Sequence, residues 1–348
     1  MFGKRPEKKK RSGFLPFVIV RLFLSVIIFS VFGLGIYQAF KSFSGYDPLK
    51  VDPKTLVLSV LTSEESEKLV SSVLGVSFSQ GLQTLTQSIK NSTSNQAGNF
   101  AVNTVQPINA PLSFKFALVA DSHSDNINLK KALDKAGELG VKFVVGLGDY
   151  TNVGTQDELR GSKEVFARSA IPFYITAGDH DLWDSRNKGQ APLQNFSEIF
   201  GPAYHSFGVL GVRFLILYDS DNDIGIDSIQ WKWLEEELVK IGSEKPKATF
   251  VLTHEPLFHP SSDHFMGKGN QNVLSQAQNL TNIFKNAGVN EVFAGDTHFF
   301  TRYPEPKTGL KMTTVGALTS ERNAQAPRFC IVDVYQDGSY NVEDLEIR

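Results

Sequence analysis

The chain has 348 residues, of which 41% are hydrophobic, and its formal net charge is −2. Its single cysteine, Cys330, excludes an intramolecular disulfide and any metal site built from several thiolates. Residues 1–13 carry six basic residues and one acidic residue, which leaves a charge of −7 on the rest of the chain. Because this larger part is acidic, a nucleic-acid partner is not expected.

The N-terminus predicts a membrane anchor. Residues 14–40 follow the basic segment and are apolar except for Arg21, and the 19 residues beyond Arg21 approach the ~20 that cross a bilayer. We therefore expect a basic cytoplasmic tail over residues 1–13 and an uncleaved transmembrane signal anchor over residues 14–40. The remainder would lie on the non-cytoplasmic side. A cleaved signal peptide is the alternative, although its apolar core should span only ~7–15 residues.

Residues 41–112 are predicted to form a juxtamembrane stalk and linker. A capping-box pattern at 62–65 and apolar residues at positions 78, 82, 85 and 89 indicate short helices. Residues 91–111 are rich in Ser, Thr, Asn and Gln, a composition typical of linkers. The globular domain is expected over residues 113–348.

From residue 113 onward, apolar segments alternate with helical ones. FKFALVAD, VKFVVGLGD, IPFYITAGD, ATFVLTH and VNEVFAGD predict strands, whereas NLKKALDKAGELG and SIQWKWLEEELVKI predict helices. YHSFGVLGVRFLILYDSD predicts a hairpin, and KMTTVGAL, RFCIVDVYQDG and SYNVEDLEI predict consecutive strands near the C-terminus. The alternation indicates an α/β fold, and the continuous apolar runs indicate strands that are buried on both faces.

Five predicted strands end in residues of the types that bind metal ions. These residues are Asp121 and His123, then Asp149, then Asp179, His180 and Asp181, then His254, and finally Asp296 and His298. Ligands of open α/β sheets lie outside the carboxyl ends of the strands, so these side chains should meet at one edge. Such a cluster of carboxylates needs cations to neutralise it. Mixed carboxylate and imidazole ligands suit Mn, Fe or Zn, and a two-ion site that generates a hydroxide suits phosphoester hydrolysis.

The order of these motifs resembles that of the calcineurin-like metallophosphoesterases. The family pattern runs Asp-x-His, Gly-Asp, Gly-Asn-His-Asp/Glu, His and Gly-His-x-His, and the chain is similar to it from about Phe114 to Leu318. QWKWLEEEL also resembles the family's Gln-x-x-Trp-Leu helix. The resemblance implies an α/β fold, a four-layer α/β/β/α sandwich of two mixed sheets, here preceded by the transmembrane helix and the stalk.

The resemblance also implies a role for each motif residue. One ion would be bound by Asp121, His123, Asp149 and His298. A second ion would share the bridging Asp149 and be bound further by Asp179, His254 and Asp296. His180 would be the acid that contacts the substrate or leaving group, with Asp181 supporting it. The two ions would be divalent or trivalent, drawn from Mn, Fe, Zn and Mg.

Two residues depart from the family pattern, and both belong to the expected second ion. The family usually has Asn at position 179 and His at position 296, whereas this chain has Asp at both. Aspartate is a competent oxygen ligand, so Asp296 is predicted to be a substituted ligand. The alternative is that Asp296 forms a turn and binds nothing, which would leave the second ion weakly held or absent.

The predicted function is hydrolysis of a phosphomonoester or phosphodiester, of a small molecule or a lipid, by a membrane-anchored enzyme that uses a metal-activated hydroxide. Phosphodiesterase or nucleotidase specificity is one alternative, and a catalytically weak metal-binding scaffold of the cell envelope is another. No substrate-binding residue is assigned. The weaker candidates are His259, His264, Arg186, Lys188 and Arg302, for which surface roles are the alternative, and Asn152, for which a turn or N-cap role is simplest.

Overall fold

A computed structural model describes residues 110–348. The predicted tail, the signal anchor and all but the end of the predicted stalk lie outside these residues. In the part of the chain that is described, no helix combines the length and the apolarity that a membrane crossing requires. Strand β1 begins at Leu112, the last residue of the predicted linker.

The first sheet has five strands in the order β11-β10-β1-β2-β3. They are β1 (Leu112–Val119), β2 (Phe143–Gly146), β3 (Phe173–Ile175), β10 (Arg328–Tyr335) and β11 (Tyr340–Glu346). Strands β1, β2 and β3 are parallel, whereas β10 and β11 are antiparallel to their neighbours. Strands β10 and β11 therefore extend the parallel unit of β1, β2 and β3 on the side of β1.

The second sheet has six strands in the order β4-β5-β6-β7-β9-β8. They are β4 (His205–Val209), β5 (Val212–Ile216), β6 (Ala248–Leu252), β7 (Glu291–Ala294), β8 (Thr301–Pro304) and β9 (Lys311–Thr314). The predicted hairpin is β4–β5, and β8 was not predicted. The three C-terminal strands follow one another in sequence as expected. However, β9 belongs to this sheet, whereas β10 and β11 belong to the first.

Six α-helices and a 3₁₀ turn connect the strands of the described region. They are α1 (Asn126–Glu138), α2 (Gln156–Arg168), the turn His180–Leu182, α3 (Trp183–Asn187), α4 (Gln194–Phe200), α5 (Ser228–Glu244) and α6 (Gln271–Asn286). The longer helices begin at side chains that accept backbone N–H bonds. Asp125, Thr155, Asp227 and Asn270 are these N-caps, and Thr155 forms a capping box with Glu158. Helix α6 was not predicted from the sequence.

Three hydrophobic clusters separate the layers. The central cluster lies between the two sheets and contains Phe116, Phe143, Phe214, Phe250 and Phe293, all nearly inaccessible. A second cluster packs the first sheet against α1, α2 and α4, and a third packs the second sheet against α5 and α6. The layers therefore follow the order helix, sheet, sheet, helix. Both faces of each sheet are covered, which explains why most strands read as continuous apolar runs.

Candidate metal centre

Six of the seven predicted metal ligands lie in two groups at the carboxyl edge of the sheets. The first group is Asp121, His123, Asp149 and His298, and the second is Asp149, Asp179 and His254. Within each group the potential ligand atoms lie within 4.8 Å of one another. The structure therefore brings these six side chains together at the edge where the sequence places them.

In the first group, two imidazole nitrogens face each other. His123 Nε2 lies 3.1 Å from His298 Nε2 and 3.6 Å from Asp149 Oδ2. His298 Nδ1 donates a hydrogen bond to the Arg322 carbonyl at 3.1 Å, which leaves its Nε2 for a ligand. Burial lowers the pKa of His298 to about 4 and the pKa of His123 even further. Both rings are therefore neutral near pH 7, the state in which imidazole binds a metal.

In the second group, His254 presents a nitrogen that the protein leaves unsatisfied. Its Nδ1 donates to the Leu147 carbonyl at 2.7 Å, which directs Nε2 toward Asp149 Oδ1 at 3.5 Å and Asp179 Oδ1 at 3.7 Å. Nε2 is buried and has no hydrogen-bond partner among residues 110–348. A buried polar atom without a partner costs ~1–3 kcal/mol. A cation placed between this nitrogen and the two carboxylates would remove that cost, so the residues fit a metal ion.

Asp149 joins the two groups. Its Oδ1 faces His254, whereas its Oδ2 faces His123. Burial raises the pKa of Asp149 well above its ordinary value and raises that of Asp121 to about 7. Although burial disfavours the imidazolium, the carboxylate of Asp149 and its neighbours raise the pKa of His254 well above its ordinary value. The cluster therefore holds protons that bound cations would displace.

Five motif residues adopt the left-handed backbone conformation. They are Asp121 (φ 53°), His123 (φ 43°), Asp149 (φ 56°), Asp296 (φ 62°) and His298 (φ 60°). For residues other than glycine this conformation costs roughly 1–2 kcal/mol. It persists only where the surrounding structure holds it, and such strain concentrates at functional sites.

Glycines beside the ligands explain the repeated Gly-Asp pairs. A Cβ on Gly178 would collide with the carboxylate and backbone nitrogen of Asp149, and one on Gly148 would lie 2.6 Å from His254 Nδ1. Gly148 also has φ of +100°. Because only glycine leaves this space free, each Gly-Asp pair lets a ligand from one strand approach the backbone of the next.

Asp296 is not part of either ligand group that the described residues form, and its place in the second ion's shell stays a prediction. Its Oδ1 instead accepts a hydrogen bond from His264 Nδ1 at 3.2 Å, and its backbone N–H donates to the Asp121 carboxylate at 3.1 Å. Burial opposes ionisation of Asp296, but the adjacent His264 holds its pKa below the ordinary value. His264, whose side chain is 46% exposed, is therefore part of the site and not only a surface loop residue.

His180 is oriented by a backbone carbonyl. Its Nδ1 donates to the Asn152 carbonyl at 2.7 Å, and its backbone N–H donates to Asp149 Oδ1 at 3.0 Å.

Asp181, expected to support the His180 ring, is fully buried and accepts from the backbone N–H groups of Asp149, Gly178 and Thr151. None of these bonds reaches the imidazole. Asp181 therefore holds the ligand loops together, and Asn152 has a larger role than the predicted turn or N-cap.

The other candidates make structural contacts. His259 is buried, accepts from the N–H of Ser262 at 2.8 Å and donates to Thr301 Oγ1 at 3.0 Å. The three basic candidates each lie beside an acid: Arg186 by Asp221, Lys188 by Asp184 and Arg302 by Glu291. No observation places them on a substrate.

Two site residues were missed from the sequence. Asp219 is fully buried, and its Oδ1 accepts from the His254 backbone N–H at 2.9 Å. Its position after the apolar run of β5 is the signal that could have found it. Arg322 supplies the carbonyl that orients His298, and it lies in the loop between β9 and β10, for which no sequence motif offered a clue.

The comparison with known proteins identifies the family. A model described as calcineurin-like phosphoesterase matches residues 114–300, more than half of the chain. The chain therefore belongs to the calcineurin-like phosphoesterase family, whose members are metal-dependent hydrolases.

Individual relatives agree with this assignment. The mouse (Mus musculus) serine/threonine-protein phosphatase CPPED1 is 30% identical over 173 residues, which cover 45% of this chain and 53% of the mouse protein. Purple acid phosphatase 22 of Arabidopsis thaliana is 27% identical over 145 residues, which cover 39% of this chain and 32% of that protein. The chain thus spans about half the length of the first relative and a third of the second.

A solved structure shares the fold. The purple acid phosphatase PPD1 from yellow lupin (Lupinus luteus) seeds aligns with 68% of this chain and 52% of its own, with 12% identity and a TM-score of 0.50. At this identity the likeness concerns the fold alone. It agrees with the arrangement of two mixed sheets and outer helices seen here.

Proposed function

We propose that this protein hydrolyses phosphoesters with the help of two metal ions held by the two ligand groups. The observation that carries the proposal is the partnerless, buried Nε2 of His254, set between two carboxylates and next to a second group that shares Asp149. Family membership supports the reaction class. Mn, Fe, Zn and Mg are the candidate ions, and the second group, with two carboxylates and one imidazole, favours the harder ones.

Such ions, when bound, would polarise the phosphoryl group and activate a water molecule. The residues of the chain perform the remaining tasks. Asp149 holds the two groups in register, and the Leu147 and Arg322 carbonyls fix the rings of His254 and His298. His180 donates its Nδ1–H to the Asn152 carbonyl, so the imidazolium form of the ring would give its second proton, on Nε2, to the leaving oxygen and return to the Nδ1–H tautomer. General acid catalysis of this kind contributes ~10²–10⁴-fold.

The proposed substrate is a phosphomonoester of a small molecule or of a lipid. The names of the relatives support a monoesterase, since they are phosphatases, including a phosphoenolpyruvate phosphatase of Allium cepa that is 23% identical over 293 residues. Phosphodiesterase or nucleotidase specificity is the alternative within the same chemistry. A weakly catalytic metal-binding scaffold of the envelope is a further candidate because Asp296 stands outside the second ligand group.

The proposed location is a membrane, with the N-terminus in the cytoplasm and the catalytic domain on the other side. Its support is the basic segment 1–13 followed by the apolar segment 14–40. Protease added outside intact cells or spheroplasts should digest residues 113–348. Full protection of that region, or its recovery in the soluble fraction with a new N-terminus after the apolar segment, contradicts the anchor.

Metal analysis combined with a phosphoester panel tests the reaction. The full-length protein should bind metal ions and hydrolyse p-nitrophenyl phosphate, whereas bis(p-nitrophenyl) phosphate tests for the diesterase alternative. Asp149→Asn should abolish both metal binding and hydrolysis, and Asp157→Asn, an exposed acid on α2, serves as the control. A metal-loaded protein that cleaves none of the esters would favour the scaffold.

A further inference from the structure

Trp183 covers one face of the His180 ring. The two ring centroids are 3.9 Å apart and the planes are inclined by 29°, which is a stacked arrangement. Local backbone geometry produces it, because residues 180–182 form a 3₁₀ turn in which the Leu182 N–H donates to the Asp179 carbonyl at 3.1 Å. Side chains three residues apart are eclipsed in such a turn, so residue 183 lies directly over residue 180.

Other contacts hold the same imidazole at its remaining sides. Nδ1 donates to the Asn152 carbonyl at 2.7 Å, and the His123 ring meets His180 edge-on at a centroid distance of 4.6 Å. The backbone N–H of His180 is bonded to Asp149. Other groups therefore contact one face, one edge and the Nδ1 of the His180 ring. Its Nε2 is left for a substrate.

The loop that carries Asn152 is fastened to the turn that carries Trp183. The Asp184 N–H donates to the Val153 carbonyl at 2.7 Å. Gly154, with φ of +77°, lies so close to Asp181 that an added Cβ would collide with the Asp181 carbonyl group. The Asn152 carbonyl and the Trp183 indole therefore reach His180 as parts of one rigid unit.

Packing of the core does not account for Trp183. It is partly exposed and belongs to none of the three hydrophobic clusters formed by residues 110–348. Its closest aromatic neighbour in that region is the His180 ring itself.

We propose that Trp183 is a positioning residue that holds the His180 imidazole in line for proton transfer to the leaving group. This inference rests on the proposed phosphoester hydrolysis with His180 as the acid. Without the indole, the ring can rotate away from the Asn152 carbonyl, and its Nε2 then loses its alignment with the leaving oxygen. The loss should matter most for esters whose leaving group needs a proton.

Kinetics with two phosphomonoesters test the inference. p-Nitrophenyl phosphate has a leaving group that departs without a proton, whereas glycerol 2-phosphate has one that must be protonated. Trp183→Ala should lower kcat/KM for glycerol 2-phosphate at least ~10-fold more than for p-nitrophenyl phosphate, within the range of general acid catalysis. Trp183→Phe keeps a stacking ring and should restore most of the rate. Trp231→Ala on α5, where the indole donates to Glu235, is the matched control and should leave both rates unchanged.

A double substitution separates positioning from a general structural effect. His180→Ala should show the same dependence on the leaving group, and adding Trp183→Ala to it should cause little further loss, because both act through one proton transfer. Equal losses on the two esters, or losses that multiply in the double variant, would overturn the inference.

A measurement without turnover distinguishes this inference from the proposed function. Histidine side-chain nitrogen NMR of the full-length, Zn²⁺-loaded protein has only seven histidines to resolve, and His180→Ala assigns the signal of interest. At a pH where the His180 ring is neutral, the wild type and Trp183→Phe should carry its single proton on Nδ1, whereas Trp183→Ala should show a mixture of the two tautomers. An unchanged tautomer in Trp183→Ala overturns the positioning role even if hydrolysis is observed. If Trp183→Ala shows the mixture of tautomers but the wild-type protein cleaves no ester, the proposed function is refuted and the positioning of His180 by Trp183 is not.

Discussion

Two buried acidic regions of this protein are built in opposite ways. Glu291, on β7, is inaccessible and receives two bonds from the Arg302 guanidinium, at 2.9 and 2.7 Å, and another from the Thr313 hydroxyl. Asp121 and Asp149 are equally buried at the sheet edge, but they face further carboxylates and imidazoles. The charge of Glu291 is neutralised by Arg302 of the same chain, whereas the carboxylates of Asp121 and Asp149 would be neutralised by bound cations.

The difference separates a region that stabilises the fold, around Glu291, from a region that forms a binding site, around Asp121 and Asp149. Breaking a buried ion pair is costly because the remaining charge has no partner. At the metal centre, carboxylates crowded beside imidazoles, with an imidazole nitrogen that has no hydrogen bond, create the affinity for cations. The substitutions below should therefore act on stability in one region and on metal binding in the other.

The largest effect is expected for Asp149→Asn. The amide keeps the shape of the side chain but cannot bridge two cations, so both ligand groups should lose their ions. Hydrolysis should fall by at least about 10³-fold, the upper range for loss of one electrostatic stabiliser of a transition state. Elemental analysis and steady-state kinetics measure the two effects, and retention of full metal content would contradict the bridging role.

In the metal-free protein, the same substitution should act in the opposite direction on stability. Burial raises the pKa of Asp149, so its carboxyl group must take up a proton at neutral pH when the metal-free chain folds, which costs stability. Asp149→Asn removes this cost, and the metal-free variant should unfold at a higher temperature than the metal-free wild type. A lower unfolding temperature would show that the carboxylates are compensated within the chain, as Glu291 is.

Glu291→Gln should destabilise the fold by about 1.5 kcal/mol, because the inaccessible side chain at 291 loses charge-assisted bonds to Arg302, whose own charge is 35% exposed and partly screened by water. Metal content and activity per folded molecule should stay at wild-type levels. Denaturant unfolding measures the change, with Glu346→Gln, a more exposed acid on β11, as the control. A loss of metal without a loss of stability would reverse the distinction between the two regions.

Metal affinity should weaken as the pH falls below about 7. Burial raises the pKa of Asp121 to about 7 and that of Asp149 well above its ordinary value, and the neighbouring carboxylates raise the pKa of His254 although burial opposes this, so these groups hold protons in the metal-free state. Metal binding releases those protons. For each proton released, the metal affinity should fall about tenfold for every unit by which the pH is lowered. Calorimetry in buffers with different ionisation enthalpies counts the protons. Affinity that is independent of pH between 5 and 7 would contradict the raised pKa values.

The smallest effect is expected for Asp296→Ala. Asp296 is bonded to the half-exposed His264 and lies outside both ligand groups, so its removal should cost ~1 kcal/mol or less and leave the metal content unchanged. Asp179→Ala is the matched comparison, and it should release the ion of the second group. If Asp296→Ala released that ion as well, the coordination predicted from the sequence would be right.

Local sequence pattern determined the class of the fold and most of the metal centre. Buried strands read as continuous apolar runs and their carboxyl ends share an edge, so six side chains could be predicted to meet there. Their division between two ions came from the resemblance to the calcineurin-like metallophosphoesterases. Helix α6 and strand β8 were not predicted, although the buried positions 273, 277, 280 and 284 of α6 have helical spacing. The exposed positions of α6 are rich in Asn and Gln, and β8 is a short edge strand that is only partly buried.

Tertiary structure decided what depends on partners that are remote along the chain. The division of β9, β10 and β11 between two sheets follows from pairing with strands formed far earlier in the sequence. Asp296 accepts a hydrogen bond from His264, which precedes it by 32 residues, and Asp181 accepts one from the backbone N–H of Asp149. Residue spacing determines which edge a side chain reaches. Which atom bonds to that side chain at the edge depends on the distances between segments of the chain, and these distances exist only in the folded protein.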